Sequence, residues 1–125
     1  MIVVGVDQFN FLYILDLVRA RFTPNEIINQ IFLLQARWDL KDVAIETVAY
    51  QKMLAYSVRE EMRRRGRYFH IEEVKPGLRS KDQRIRGLQP LYENGRVIHN
   101  KLHPLNYIFE DELLRFPSGR HDDLI

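Results

Sequence analysis

Three acidic residues stand at places in the sequence where they could hold a metal ion. Glu46 ends a predicted strand over residues 42–47, and Asp122 and Asp123 begin a predicted helical turn. Ligand sites in α/β sheets lie near the carboxyl ends of strands, and Mg²⁺ and Mn²⁺ prefer carboxylate oxygen. We therefore expect one of the two aspartates to meet Glu46 across the sheet edge. A two-metal site there would clamp the attacking and leaving oxygens of a phosphodiester, with His121 as a ligand or water-orienting group.

Simpler interpretations of the acidic residues stay open. A strand-end glutamate such as Glu46 is commonly paired with a neighbouring Lys or Arg, and adjacent aspartates make good helix N-caps. A lone histidine is more often neither a ligand nor a base. Asp7 lies in the sequence Asp-Gln-Phe-Asn, where aspartate is favoured by turn chemistry alone. A metal-binding role is least favoured for Asp7 and for Asp16, which ends the second predicted strand.

Basic residues crowd the middle of the chain, although the net charge is only +2. Lys81 and Arg84 lie one turn apart on a predicted helix, so they would share a face that could hold a phosphate. Arg64 and Arg65 belong to an arginine-rich segment that could contact DNA. A solvated helix face followed by a basic loop explains the same residues. The two clusters are Arg59, Arg63, Arg64, Arg65 and Arg67, then Lys75, Arg79, Lys81, Arg84 and Arg86.

Several classes of site are excluded by what the sequence lacks. The chain has no cysteine, which rules out disulfides and thiolate–zinc sites. It has no phosphate-binding glycine-rich loop, no His-Glu-x-x-His and no Gly-x-Ser-x-Gly. His70, His99 and His103 lack the spacing of metal ligands. The first residues do not read as a signal peptide, and no stretch approaches the ~20 apolar residues of a membrane helix. We therefore expect no membrane contact.

The order of predicted elements favours an α/β fold. Two apolar runs around a polar turn predict a hairpin buried on both faces. Thr23 to Glu26 predicts a capped helix start, and Gly66 predicts a helix end. The order β-β-α-β-α-β-α-β-α implies one mixed sheet with helices on both faces, in a single domain over residues 1–125. The other expected elements are strands at 69–74 and 96–99 and helices at 49–65, from Ser80 to about Asn94, and at 104–114.

The order of short motifs along the chain is more specific than any one of them. From Lys81 to Asp123 the sequence contains K-x-x-R-I, L-x-P, G-x-V, E-L-x-x-F-P and H-D-D in that order. This order resembles the C-terminal nuclease domain of tailed-phage terminase large subunits, including prophage copies. The segment LYILDLVRARFTPNEII and the strand that ends at Glu46 fit the same family. The resemblance covers essentially the whole chain.

The resemblance implies an RNase H-like fold and a Mg²⁺- or Mn²⁺-dependent endonuclease that cuts concatemeric double-stranded DNA into genome lengths. Glu46 would be the family's second acidic residue, and Asp122 or Asp123 its third. Lys81 and Arg84 would lie on the DNA side. The implied partners are DNA, the terminase ATPase domain, the small subunit and the portal. The implied location is the cytoplasm of an infected or lysogenic bacterial host.

The sequence departs from the family pattern at two places. The family's first catalytic aspartate lies on a strand before this hairpin, and the family continues past the H-D-D motif into a helix. We therefore expect a partial domain that lacks the first strand and the last helix, with weak or absent cleavage. Two alternatives stay open: a non-catalytic remnant that only binds DNA, and another RNase H-like nuclease such as a resolvase.

Overall fold

A computed structural model describes residues 1–46, 51–75, 77, 80–119 and 124. The described residues form a mixed α/β structure, which confirms the predicted fold class at that level. Residues 1–20 and 79–125 form one compact unit, here called the hairpin unit, and residues 21–78 form a second, here called the βαβ unit. The single domain stays a prediction. Within the described part of the chain, no helix is long and apolar enough to cross a membrane.

The hairpin unit contains a three-stranded mixed sheet. Strands β1 (Ile2–Val6) and β2 (Leu12–Leu17) pair antiparallel, as the two apolar runs predict, and β5 (Val97–His99) pairs parallel with β2. A core cluster joins this sheet to the helix over Asn106–Arg115 and to Leu124. The buried members of the cluster are Ile14, Leu17, Phe109 and Leu124.

The prediction that the hairpin is buried on both faces is wrong for β1. Val3 is only 4% exposed, whereas its neighbour Val4 is 45% exposed and Val6 is 62% exposed. Successive side chains of a strand point to opposite faces, so β1 presents one face to the core and the other to solvent. β1 is therefore apolar on both faces in sequence, although only one of these faces is buried.

The βαβ unit contains two helices and a two-stranded parallel sheet. Helix α1 (Pro24–Trp38) begins at a capping box: Thr23 Oγ1 accepts from the backbone N–H of Glu26, and Glu26 Oε2 accepts from the backbone N–H of Thr23. This confirms the predicted helix start. Strands β3 (Asp42–Glu46) and β4 (His70–Val74) pair in parallel, with α2 (Gln51–Arg65) between them in sequence. Gly66 follows α2 with a φ of 62°, which confirms the predicted helix end.

The third predicted helix is broken. Ser80 caps α3 (Lys81–Arg86), as expected, but the chain turns at Gly87 and Leu88 before α4 (Gln89–Glu93). Pro90 causes the break because proline has no backbone N–H to donate to the carbonyl of Arg86, as a continuous helix would require. Leu88, at the turn between the two helices, is 41% exposed. The last helix, α5 (Asn106–Arg115), begins two residues later than expected.

The described strands pair within each unit, in the orders β1-β2-β5 in the hairpin unit and β3-β4 in the βαβ unit. Among the described residues, β2 has two hydrogen-bonded neighbours and each other strand has one. The single mixed sheet stays a prediction.

Candidate functional site

Glu46 lies where the sequence predicts it, as the last residue of β3. In the parallel pair it stands opposite Val74, so it is at the carboxyl end of both strands. Its side chain is exposed. The carboxyl end of parallel strands is the edge of a sheet at which ligand sites form. Position, exposure and chemistry all suit a carboxylate that holds a hard cation.

The other predicted metal ligands, His121, Asp122 and Asp123, lie outside the described residues. Within the described ranges, no group of three or more Asp, Glu or His side chains is arranged to hold a metal ion. Of the predicted metal ligands, Glu46 is therefore the one that lies among the described residues.

The residue that follows the acidic pair is anchored firmly. Leu124 is 3% exposed and packs in the core cluster of the hairpin unit. Its backbone N–H donates to Glu112 Oε2 at 2.7 Å. Glu112, on α5, is 5% exposed, and its other carboxylate oxygen lies 3.1 Å from the Arg19 guanidinium. A buried carboxylate thus ties the chain next to the acidic pair to α5 and to the end of β2.

Lys81 and Arg84 both lie on α3, as predicted. Lys81 is half-buried and Arg84 is exposed. The α3 helix also carries Arg86, whose Nε donates to Asp82 Oδ2 at 2.9 Å. The helix is fixed at its start by the Ser80 capping box. Two cations three residues apart on a capped helix can contact a phosphate together.

The arginine-rich segment at the end of α2 is largely engaged with neighbouring side chains. Arg64 and Arg65 both bond Glu61 Oε2, at 2.9 and 2.8 Å, and these bonds, with that of Arg65 the stronger, lower the pKa of Glu61. Arg65 also donates to Asn29 Oδ1 at 2.6 Å and lies 4.4 Å above the Phe32 ring. Arg65 therefore packs α2 against α1, whereas Arg64, with a side chain 74% exposed, keeps its guanidinium accessible to a phosphate. Other pairs of the described residues are Arg59 with Glu73 and Arg63 with Glu60.

Asp7 stabilises the hairpin turn. Its Oδ1 accepts from the backbone N–H groups of Phe9 and Phe11, and its Oδ2 accepts from the Tyr13 hydroxyl at 3.0 Å. These bonds, led by the one from Phe11, hold the pKa of Asp7 below its ordinary value. The geometry agrees with the turn interpretation given above.

Asp16 also has a role within the fold. It is 4% exposed, and its Oδ1 lies 2.9 Å from His103 Nε2. His103 Nδ1 accepts from the backbone N–H of Leu105, and His103 Nε2 also lies 3.4 Å from the backbone nitrogen of Leu17. The contact between His103 and Asp16 joins β2 to the loop before α5.

A polar chain of three side chains was missed by the sequence analysis. The Tyr92 hydroxyl lies 2.9 Å from His99 Nε2, and His99 Nδ1 lies 2.9 Å from Glu110 Oε1. These residues come from α4, β5 and α5, and they line a cavity of about 500 Å³. No short motif joins them, because only the packing of the three elements brings them together. The position of His99 in the sequence does not fit the spacing of metal ligands, and sequence spacing does not reveal hydrogen bonds between distant elements.

The Glu110 end of the relay is an acceptor. Hydrogen bonds from His99 and from Asn106, with further attraction from the charges of His99 and Lys101, lower the pKa of Glu110, so it is an ionised acceptor. His99 therefore donates to Glu110 through Nδ1–H. Burial, with a smaller contribution from the Glu110 charge, raises the pKa of Tyr92, so its hydroxyl stays protonated.

No protein-family model matches the chain, and no curated protein or solved structure matches it either. Its function is therefore inferred from its own residues.

Proposed function

We propose that this chain is the nuclease domain of a viral DNA-packaging terminase, an RNase H-like, metal-dependent endonuclease that acts on double-stranded DNA. The observation that carries the proposal is the order of the motifs from K-x-x-R-I at Lys81 to H-D-D at Asp123. The position of Glu46 at the carboxyl end of a parallel strand pair supports it, because such an edge is where an α/β fold places its chemistry.

Three of the motifs lie at features that the structure describes. Lys81 and Arg84 stand on a capped helix, and G-x-V leads from the Gly95 turn into β5. Glu112 of E-L-x-x-F-P holds the backbone of Leu124, directly after H-D-D. These three motifs therefore lie at a capped helix, at a turn and at a buried side chain that holds the backbone. Such positions give physical reasons for some of their residue types.

The chemistry proposed is hydrolysis of a phosphodiester. Glu46 and one of Asp122 and Asp123 would hold Mg²⁺ or Mn²⁺, whose donors of choice are carboxylate oxygens. The bound ions supply Lewis acidity for the attack of water on phosphorus and for the departure of the leaving oxygen. Lys81 and Arg84 would hold the DNA backbone through its phosphates. Water forms the new P–O bond, and the bond to the departing sugar oxygen breaks.

The proposal is tested by incubating the chain with supercoiled plasmid in Mg²⁺, in Mn²⁺ and in EDTA. We expect at most weak nicking, which needs the metal and is lost in Glu46→Ala, whereas robust nicking would overturn the expectation of a partial domain. Glu72→Ala is the matched control, since Glu72 is also an exposed glutamate on a strand of the same sheet, and it should nick like the parent chain.

Three results would count against the proposal. Nicking that survives Glu46→Ala would remove Glu46 from the reaction. Salt-dependent DNA binding without any metal-dependent cutting would favour a module that only binds DNA. Cutting confined to branched junctions would favour a resolvase.

A further inference from the structure

The cavity beside Tyr92, His99 and Glu110 lies outside the proposed nuclease chemistry. Its volume of about 500 Å³ falls in the range of small-molecule sites in proteins. Most of its wall is apolar. The apolar lining residues are Ile85, Leu88, Leu113, Leu114 and Phe116. Leu114 is 86% exposed and Leu88 is 41% exposed, so an apolar body entering the cavity would cover surface that now faces water.

The polar end of the cavity offers hydrogen-bond acceptors. The Tyr92 oxygen lies 2.9 Å from His99 Nε2 and keeps at least one lone pair for a ligand, whichever of the two atoms carries the shared proton. Glu110 is ionised, and its side chain is 42% exposed beside the cavity. Both groups therefore favour a ligand that brings N–H donors, and the carboxylate favours a ligand that brings positive charge.

The positive charge on the cavity wall, that of Arg86, is already paired with a carboxylate. Arg86 donates from Nε to Asp82 Oδ2 at 2.9 Å on the same helix. Gln89, the remaining polar lining residue, donates its amide to Glu93 Oε1 at 2.7 Å. Lys101 adds a coulombic attraction to Glu110 without lining the cavity. The carboxylate that faces the cavity is thus that of Glu110, whose Oε1 lies 2.9 Å from His99 Nδ1 on the same wall.

The carboxylate is held in place by its neighbours. Asn106, which is 6% exposed, donates a side-chain hydrogen bond to Glu110, and His99 fixes Glu110 Oε1 from the other side. The His99 ring contacts Tyr92 edge-on and lies 5.2 Å from the Phe109 ring in the core. A rigid acceptor pair at the end of an apolar cavity costs little to order when a ligand binds.

We propose that this cavity binds a small organic amine, a protonated amino group carried on an apolar, ring-bearing body. The amino group would donate to Glu110 and to the Tyr92 oxygen, and the ring would lie against Leu88, Leu113 and Phe116.

The test compares three probes of similar shape by two-dimensional NMR titration of the intact chain. The probes are phenethylamine, the neutral 2-phenylethanol and the anionic 3-phenylpropionate. Phenethylamine should shift the amide signals of Tyr92, His99 and Phe116 at the lowest concentration. Equal affinity for the amine and the alcohol, tighter binding of the carboxylate, or shifts confined to other residues would each overturn the proposal. This comparison needs no variant.

Two variants then assign the contacts. Glu110→Gln should weaken phenethylamine binding by roughly tenfold or more, since a hydrogen bond to a charged group contributes about 1.5–3 kcal/mol. It should leave 2-phenylethanol binding unchanged. Asp111→Asn is the matched control, because Asp111 is the next residue of α5 but pairs with Arg115 and does not line the cavity. An equal loss in both variants, or none in Glu110→Gln, would overturn the role given to Glu110. The nuclease assay reports separately on Glu46.

Discussion

The ion pair between Arg19 and Glu112 should respond unequally to loss of its two members. Glu112 is 5% exposed, whereas the Arg19 side chain is 30% exposed. Replacing Arg19 by glutamine leaves a buried carboxylate that, among the described residues, keeps the hydrogen bond from the Leu124 N–H. Replacing Glu112 by glutamine leaves an arginine that water already reaches, and the new amide oxygen can still accept from Leu124.

The magnitudes follow from this difference in burial. Breaking a fully buried pair costs about 3–5 kcal/mol, and partial exposure of Arg19 reduces this, so we expect Arg19→Gln to lower the free energy of unfolding by about 2 kcal/mol. For Glu112→Gln we expect the free energy of unfolding to fall by about 1 kcal/mol. The neutral amide can keep the hydrogen bond from Leu124 but loses the part of its strength that depends on charge. The double variant should cost little more than Glu112→Gln alone, because no buried charge is then left unpaired.

Urea unfolding followed by far-UV circular dichroism measures all three free energies. Arg115→Gln is the control, because it removes the exposed Arg115–Asp111 pair on the same helix and should cost under about 1 kcal/mol. A larger loss for Glu112→Gln than for Arg19→Gln would refute the reasoning from burial. Strict additivity in the double variant would show that the two side chains do not stabilise one another.

Two further predictions concern local structure. Thr23→Ala should lower stability by about 1 kcal/mol through loss of the α1 cap, and Thr23→Ser should not; Trp38 fluorescence during urea unfolding measures both, and equal losses would contradict the cap. Asp7→Asn should lower the melting temperature near neutral pH. Because the folded pKa of Asp7 is depressed, its carboxylate stabilises the fold above the ordinary value of 3.8 and loses that effect as the pH falls through the folded value. A deficit that persists unchanged in acid would contradict this.

Local signals in the sequence predicted local structure well. The capping box at Thr23, the helix end at Gly66 and the hairpin around Asp7 each depend on residues within one turn, and all three are present. The helix predicted from Ser80 to about Asn94 divides into two because Pro90 interrupts it. The parallel pairing of β5 with β2 could not be predicted, since it joins distant parts of the chain.

The candidate site divides in the same way. Glu46 could be placed at a strand end because the apolar run before it marks the strand. The roles of Glu112 and of the relay from Tyr92 to Glu110 could not be predicted, because the partners lie on different elements. The contacts of Arg65 with Asn29 and Phe32 arise from helix packing that the sequence does not reveal, and its DNA contact stays a prediction.

The proposed nuclease function requires Glu46 and one of Asp122 and Asp123 to hold the same divalent ions. The most direct measurement is titration of the chain with substoichiometric Mn²⁺, followed by paramagnetic broadening of backbone amide signals, with Glu72→Ala as control. We expect the signals of Ile45, Glu46 and residues 122–124 to broaden together, in the parent chain and the control, and to recover in Glu46→Ala. Broadening of either group without the other, or broadening that is unchanged in Glu46→Ala, would contradict the claim.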